Sequence, residues 1–264
     1  TASSTRTIQS IDRAAAILAE LADAPEGCPQ GVLATRLSLK PQTLQSLLRT
    51  LQAHGLVTQR ERGAPYTVGP RLHEWSLHWL ERRDLPSAAR PAVLGFCRRT
   101  GEYALLAELH GTHFVRLLEA SGERELTVRT DAFGTSLMHV MGTGMLLLAQ
   151  APTELADHLI AGLVLGTRGP NEARDLDEVR KRIERVKKNG YAECREDNAE
   201  GVVSLAVALR SPDGHPAAVG TALPLTRYDT QRRRKLLAEL RSTAHDVERA
   251  WGGSMDPPYV GRVH

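Results

Sequence analysis

Residues 38–57 read SLKPQTLQSLLRTLQAHGLV. Leu44, Leu47, Leu48 and Leu51 recur at i, i+3, i+4 and i+7, the stripe of an amphipathic helix. Pro41 suits its first turn, where a missing N–H costs nothing, and Gly55 suits its end. The opposite side carries Gln42, Gln45, Ser46 and Arg49, with Thr43 beside them and no carboxylate. Gln pairs bidentately with adenine, Arg with guanine, and Ser or Thr reaches bases or phosphates. The leucines explain how the helix is held, and the acid-free face reads as a surface for double-stranded DNA.

The neighbouring segments agree. Upstream, SIDRAAAILAELADA (10–24) predicts a helix capped by Ser10, with Ile11, Ala14, Ala15, Leu18 and Leu21 inward. After the break PEGCPQG, residues 30–37 predict a second short helix with Val32, Leu33 and Leu37 inward. Downstream, LVTQRERGAPYTVG predicts a hairpin about the turn Glu61-Arg62-Gly63-Ala64. Lys40 at the helix entrance and Arg60 and Arg62 in the hairpin suit phosphate contacts, which fix register without reading sequence. Residues 1–75 hold eight Lys or Arg and six Asp or Glu, and the acids lie mostly outside the third helix and the hairpin. A solvated helix beside a surface hairpin accounts less well for all of these features together.

The whole chain has 264 residues, a net charge of +3, 41% apolar and 25% charged residues. That is ordinary globular composition and too little charge for a sequence-neutral coat of DNA. Aromatics at 4% exclude a large stacking surface. Cys28, Cys97 and Cys194 are far apart and form no CxxC pair, so neither a disulfide framework nor a metal site is legible, and no cofactor is expected. No apolar signal core or membrane-length run of ~18 residues occurs, so a reducing cytoplasm, and no membrane partner, is the expectation.

Residues 70–83, PRLHEWSLHWLERR, predict a helix whose Leu72, Trp75, Leu77, Trp79 and Leu80 are too apolar for a free linker. Pro86 and Pro91 mark the entry to a second part. There 87–100 predicts a helix, and ALLAEL, HFVRLLEA and ELTVRT predict strands, the first two turning at His110-Gly111-Thr112. Helices follow near 153–164 and 175–189. VVSLAVALR and AAVGTALPL then predict strands about the turn Ser211-Pro212-Asp213-Gly214, and a last helix spans about 229–250 with Leu236, Leu237, Leu240 and Val247 inward. Strands and helices without regular βαβ spacing predict an α+β fold with a largely antiparallel sheet.

Several stretches carry a resemblance. Ala34 to Thr43, Leu47 to Leu51 and His54-Gly55-Leu56-Val57 resemble the winged helix-turn-helix of the IclR family of bacterial transcription regulators, and Tyr66-Thr67-Val68-Gly69 resembles the end of its wing. Phe133-Gly134, with Leu137 to Ala149, is similar to that family's Leu-His-Ala-Thr-Ala-x-Gly-Lys segment. Gly190-Tyr191-Ala192, Glu196 and Gly201 to Ala206 match a further region loosely. The resemblance implies a DNA-binding domain at 1–69, a linker helix at 70–86 and a GAF-like α/β effector-binding and oligomerisation domain at 87–264. It implies a homodimer or homotetramer and a small-molecule effector, and places Met141, Gly142, Thr143, Cys194, Ser204 and Ala222 around the pocket. The departures are Ser38 where relatives often have Gly, Val140-Met141-Gly142 for Ala-Thr-Ala, Met145 for Lys, Cys194 for Asp and Ala222 for Ser. They make the pocket more apolar and adaptable, so the expected effector has a carboxylate or polar head on an apolar or aromatic body.

Glycines 142 and 144 ahead of MLLLA open a helix, either to present N–H groups to an anion or to allow close packing. His139 reads as a hydrogen-bonded structural residue, and Arg232 to Lys235 as a solvated face. An enzyme acting through residues 87–264 is the competing reading, but no catalytic motif supports it.

Overall fold

The computed structural model describes residues 7–81, 85–122, 124, 128 and 134–252. The chain divides into two compact units, Thr1–Arg83 and Asp84–His264.

In the first unit, α1 (Gln9–Ala22), α2 (Gln30–Arg36) and α3 (Pro41–Ala53) surround a core of Ile17, Leu21, Leu33, Leu44, Leu48 and Leu51. Strands β1 (Val57–Gln59) and β2 (Tyr66–Val68) pair antiparallel as the hairpin, and Val57 and Tyr66 join that core. Cys28 adds a further bridge: its N–H donates to Tyr66 O at 2.8 Å and its carbonyl accepts from Tyr66 N at 2.9 Å. At the hairpin tip, Gln59 Nε2 donates to Ala64 O at 2.8 Å.

The inward faces of α1 and α2 differ from expectation. Helix α1 starts at Gln9 with Ile8 at its N-cap, so Ser10 does not cap it. Leu21 is buried and Ala14 and Leu18 pack against the core as expected, but Ile17 is the second buried residue, while Ala15 is exposed and Ile11 is 62% exposed. The face is rotated so that Ile17 joins Ala14, Leu18 and Leu21 in place of Ile11 and Ala15, which buries more apolar area within the core. Val32 likewise points outward, leaving Leu33 to anchor α2. Helix α4 (Pro70–Glu81) forms as predicted, yet Trp75 is 50% exposed and Leu77 is exposed too.

In the second unit, α5 (Leu85–Thr100) precedes β3 (Ala104–His110) and β4 (His113–Ala120). A 3-10 turn (Thr135–Val140) leads into α6 (Gly142–Gln150), then α7 (Thr153–Ala161) and α8 (Leu176–Asn189). Strands β5 (Ala192–Arg195), β6 (Val202–Arg210) and β7 (Pro216–Pro224) precede α9 (Thr230–Ala250). The sheet order is β4-β3-β7-β6-β5, every neighbouring pair antiparallel, which gives the α+β class. The predicted strand ELTVRT lies, Val128 apart, outside the described residues. Strand β5 is an addition to the prediction.

Alternation sorts the sheet into two faces. Leu105, Ala107, Ala206, Ala218 and Cys194 face a core shared with α6 and α8. The intervening Leu106, Leu205, Val207 and Val219 are buried as well, and α5 and α9 contact the sheet. Trp251 Nε1 donates to Leu85 O at 2.8 Å, joining the end of α9 to the start of α5. The basic run on α9 is not merely solvated. Arg232 pairs at 2.8 Å with buried Glu102, which also pairs with Arg227 at 2.7 Å, and Arg233 lies 3.5 Å from Glu193. A buried carboxylate needs such partners to offset its lost hydration. Among the described residues no helix is long and apolar enough to cross a membrane.

Candidate DNA-reading helix and effector cavity

Helix α3 buries Leu44, Leu48 and Leu51 and leaves Gln42, Gln45, Ser46 and Arg49 exposed, with Thr43 half-buried at their side. Ser46 Oγ donates to Gln42 O, and Thr50 Oγ1 to Ser46 O, each at 3.0 Å. These back-bonds fix the two hydroxyl rotors while leaving their lone pairs outward. Lys40, Arg60 and Arg62 are exposed too. Thr50 extends the polar face by one turn and was legible only as part of the same helical repeat. Ser38, in the turn between α2 and α3, has φ 51°, a left-handed conformation that non-glycine residues adopt at a cost.

The six residues named for an effector line one cavity of about 490 Å³, its open mouth included. Its floor is a row across three strands: Cys194 on β5 pairs with Ser204 on β6, and Ser204 pairs with Ala222 on β7. Met141, Gly142 and Thr143 close it from the first turn of α6. Gly220 lets α6 approach, since a β-carbon there would sit 2.6 Å from Thr143 Cγ2 and 2.8 Å from Leu205 O. Tyr103, Leu105, Val140, Asn198, Val202 and Thr221 also line the cavity. They sit on facing strands or loops whose registry leaves no local signature. No Lys, Arg, Asp, Glu or His is among the described lining residues.

Both readings of the α6 glycines have a counterpart. Gly144 serves packing, because a β-carbon there would lie 2.2 Å from Met138 O. The Gly142 N–H is donated to Ser204 Oγ at 3.0 Å, so the first amide of the helix is engaged within the protein. The amides of Thr143 and Gly144 follow it at a helix end that favours negative charge.

Burial, reinforced by the charge of Asp197, raises the Cys194 thiol well above its ordinary value, keeping it protonated and weakly nucleophilic. His139 Nε2 lies 2.7 Å from Glu172 Oε1, and Glu172 Oε2 accepts from Arg168 N at 2.8 Å. Burial pushes the Glu172 carboxyl up, but the His139 and backbone hydrogen bonds outweigh it and the net shift is downward. His139 is thus a structural residue whose partner, Glu172, sequence spacing does not reveal. Asp197 rises to about 6 because burial outweighs the pull of Arg182, its ion-pair partner.

A family model described as "Bacterial transcriptional regulator IclR C-terminal" matches residues 77–249, and a MarR family model matches 11–64. The HTH-type transcriptional regulator XynR of Escherichia coli is 25% identical over 93% of this chain and 98% of its own. A solved regulator of the same family from Silicibacter is 24% identical, with a TM-score of 0.81 over 94% of this chain and 98% of its own. A homologue from Microbacterium hydrocarbonoxydans, solved in complex with 4-hydroxybenzoate, is 20% identical, with a TM-score of 0.74 over 93% of this chain and 100% of its own. The exposed helix-turn-helix and the family match over most of the chain's length lead to one conclusion: this chain belongs to the IclR family of bacterial transcriptional regulators.

Proposed function

We infer that α3 enters the major groove of operator DNA, with Gln42, Gln45, Ser46 and Arg49 facing base edges and Thr43 close to the backbone. Lys40, Arg60 and Arg62 contact phosphates. The first domain spans 1–69, the linker helix 70–86 and the effector-binding and oligomerisation domain 87–264. The protein acts in the cytoplasm, on the nucleoid when DNA-bound, as a dimer or a dimer of dimers. Exposed Ile8 and Ile11, at the N-cap and in the first turn of α1, and Trp75 and Leu77 on α4 support self-association, being apolar surface that a second copy would cover. Two recognition helices then fall on half-sites about 34 Å, or a multiple, apart.

The effector is a small carboxylate with an aromatic or acyl body. The observation that carries this is the cavity's lining, in which Val140, Met141, Val202 and Ala222 supply apolar walls and no Lys, Arg, Asp, Glu or His occurs among the described residues, the pattern of a small-molecule site with a few polar groups in an apolar wall. The amides of Thr143 and Gly144 and the Ser204 hydroxyl receive the carboxylate, and the apolar walls receive the body. The 4-hydroxybenzoate held by the Microbacterium homologue is a ligand of this class. Effector binding alters operator affinity only through its differential affinity for DNA-competent and incompetent arrangements.

The test is calorimetry of the full chain with 4-hydroxybenzoate, longer acyl carboxylates, glyoxylate and pyruvate. It is paired with selection of bound genomic fragments in the presence and absence of each. Micromolar binding of glyoxylate or pyruvate, with no aromatic or acyl ligand bound, overturns the effector assignment.

A further inference from the structure

At the far end of the strands that floor the cavity, three metal-ligating side chains converge. Glu108 and His110 are two residues apart on β3 and share one face of it. Glu108 pairs in register with Ala217 of β7, and His215 immediately precedes β7, just past the turn in which Gly214 N donates to Ser211 O. One ligand atom from each of Glu108, His110 and His215 lies within 4.8 Å of the other two. Leu105, the cavity residue of β3, belongs to the opposite face, so this cluster is separate from the effector cavity.

The distances suit a cation. Metal–nitrogen bonds of about 2.0–2.1 Å and metal–carboxylate bonds of about 2.0–2.2 Å put neighbouring tetrahedral ligands roughly 3.4 Å apart. His110 Nδ1 lies 3.4 Å from Glu108 Oε1. The His110 and His215 rings are 4.6 Å apart between centroids and tilted by 54°. Small rotations at the solvent side therefore bring the third ligand in. The Glu108 carboxylate is 0% exposed, while the His110 side chain is 47% exposed, which gives an ion a route to a buried anchor. Ser211 Oγ donates to Glu108 Oε2 at 3.3 Å, in the manner of an outer partner that orients a ligand. A carboxylate–imidazole hydrogen bond alone explains His110 but gives no reason for His215 to stand beside it.

We propose that Glu108, His110 and His215 form a binding site for one divalent transition-metal ion, zinc(II) being the best match to a two-histidine, one-carboxylate set. Water completes the coordination. The ion cross-links the end of β3 to the β6–β7 turn, and so braces the sheet at the end remote from the effector cavity. The ligands come from positions more than a hundred residues apart, which is why no spacing motif reveals them.

The experiment uses the untagged full chain, stripped with a chelator and titrated with zinc(II) by calorimetry, with cobalt(II) absorption as a second readout. One ion per chain is expected. His215→Ala and His110→Ala should each weaken binding by roughly 100-fold or more, the upper end of what removing even an outer partner costs. His113→Ala, an exposed neighbour outside the cluster, should leave it unchanged. The two histidines are not core residues, so their variants fold; Glu108→Gln, at a buried position, is read only alongside them. Absence of saturable one-per-chain binding in the wild type, or undiminished binding in both His215→Ala and His110→Ala, overturns the proposal.

Discussion

Gly142 donates its backbone N–H to Ser204 Oγ at 3.0 Å, tying the first turn of α6 to β6 across one edge of the cavity. The bond satisfies an amide that has no partner within its own helix and sets the distance between the helix end and the cavity floor. Ser204→Ala leaves that buried donor without its acceptor. The expected cost is about 1–3 kcal/mol, measured as a lower midpoint in urea with an unchanged slope. A midpoint equal to wild type shows that the bond does not hold α6.

Ala222 stands in register with Ser204 and faces the same space. Ala222→Leu adds volume where the fold has room, so the domain should keep its stability while an aromatic carboxylate is excluded. Calorimetry with 4-hydroxybenzoate should then show affinity reduced by more than roughly tenfold, about 1.4 kcal/mol. Equal affinity in wild type and variant places the ligand elsewhere.

On α3, Arg49 and Gln42 are exposed on the acid-free face. Arg49→Ala and Gln42→Ala should each cost about 1–3 kcal/mol in operator binding and relax specificity at one base pair. Arg60→Ala and Arg62→Ala should instead weaken binding to all sequences alike and reduce its salt dependence. If both α3 variants read every sequence as wild type does, that face is not the reading surface.

Ser38 holds φ at 51° in the turn before α3. A left-handed L-residue costs about 1–2 kcal/mol, while glycine gives back about 0.5–1 kcal/mol through the entropy of the unfolded chain. Ser38→Gly should therefore stabilise the first unit by about 0.5–1 kcal/mol without changing operator affinity. Chemical denaturation followed beside a DNA titration checks both halves.

These sites were legible in the sequence to different depths. The α3 stripe could be read directly, because four leucines at helical spacing admit one inward face. The α1 stripe could not: AAAILAE offers two faces of similar apolarity, and the choice between Ile11 and Ile17 is made by the neighbouring helices. Strand β5 is four residues long and carries Glu193, Cys194 and Arg195, too short and too polar to show alternation. The cavity floor depends on Cys194, Ser204 and Ala222 meeting across three strands, a registry that no local pattern encodes. Family resemblance supplied those residues where periodicity had no means to. Tyr103, Asn198 and Thr221 came from neither source, since only the closed sheet and its loops bring them to the same space.

Asp197 contributes a distinct pH dependence to the second unit. Burial, opposed by Arg182, lifts its carboxyl from 3.8 to about 6. Between those values the native state holds a proton that the unfolded chain has released. The contribution of Asp197 to stability therefore falls as pH rises through the window and is flat above it. Two units correspond to at most about 3 kcal/mol. Asp197→Asn removes the titration, so its stability relative to wild type should rise as pH goes from about 4 to about 6, and then level off. Urea midpoints of both proteins across that range decide the matter. A constant difference shows that Asp197 ionises in the native protein as it does in the unfolded chain, with Arg182 fully offsetting its burial.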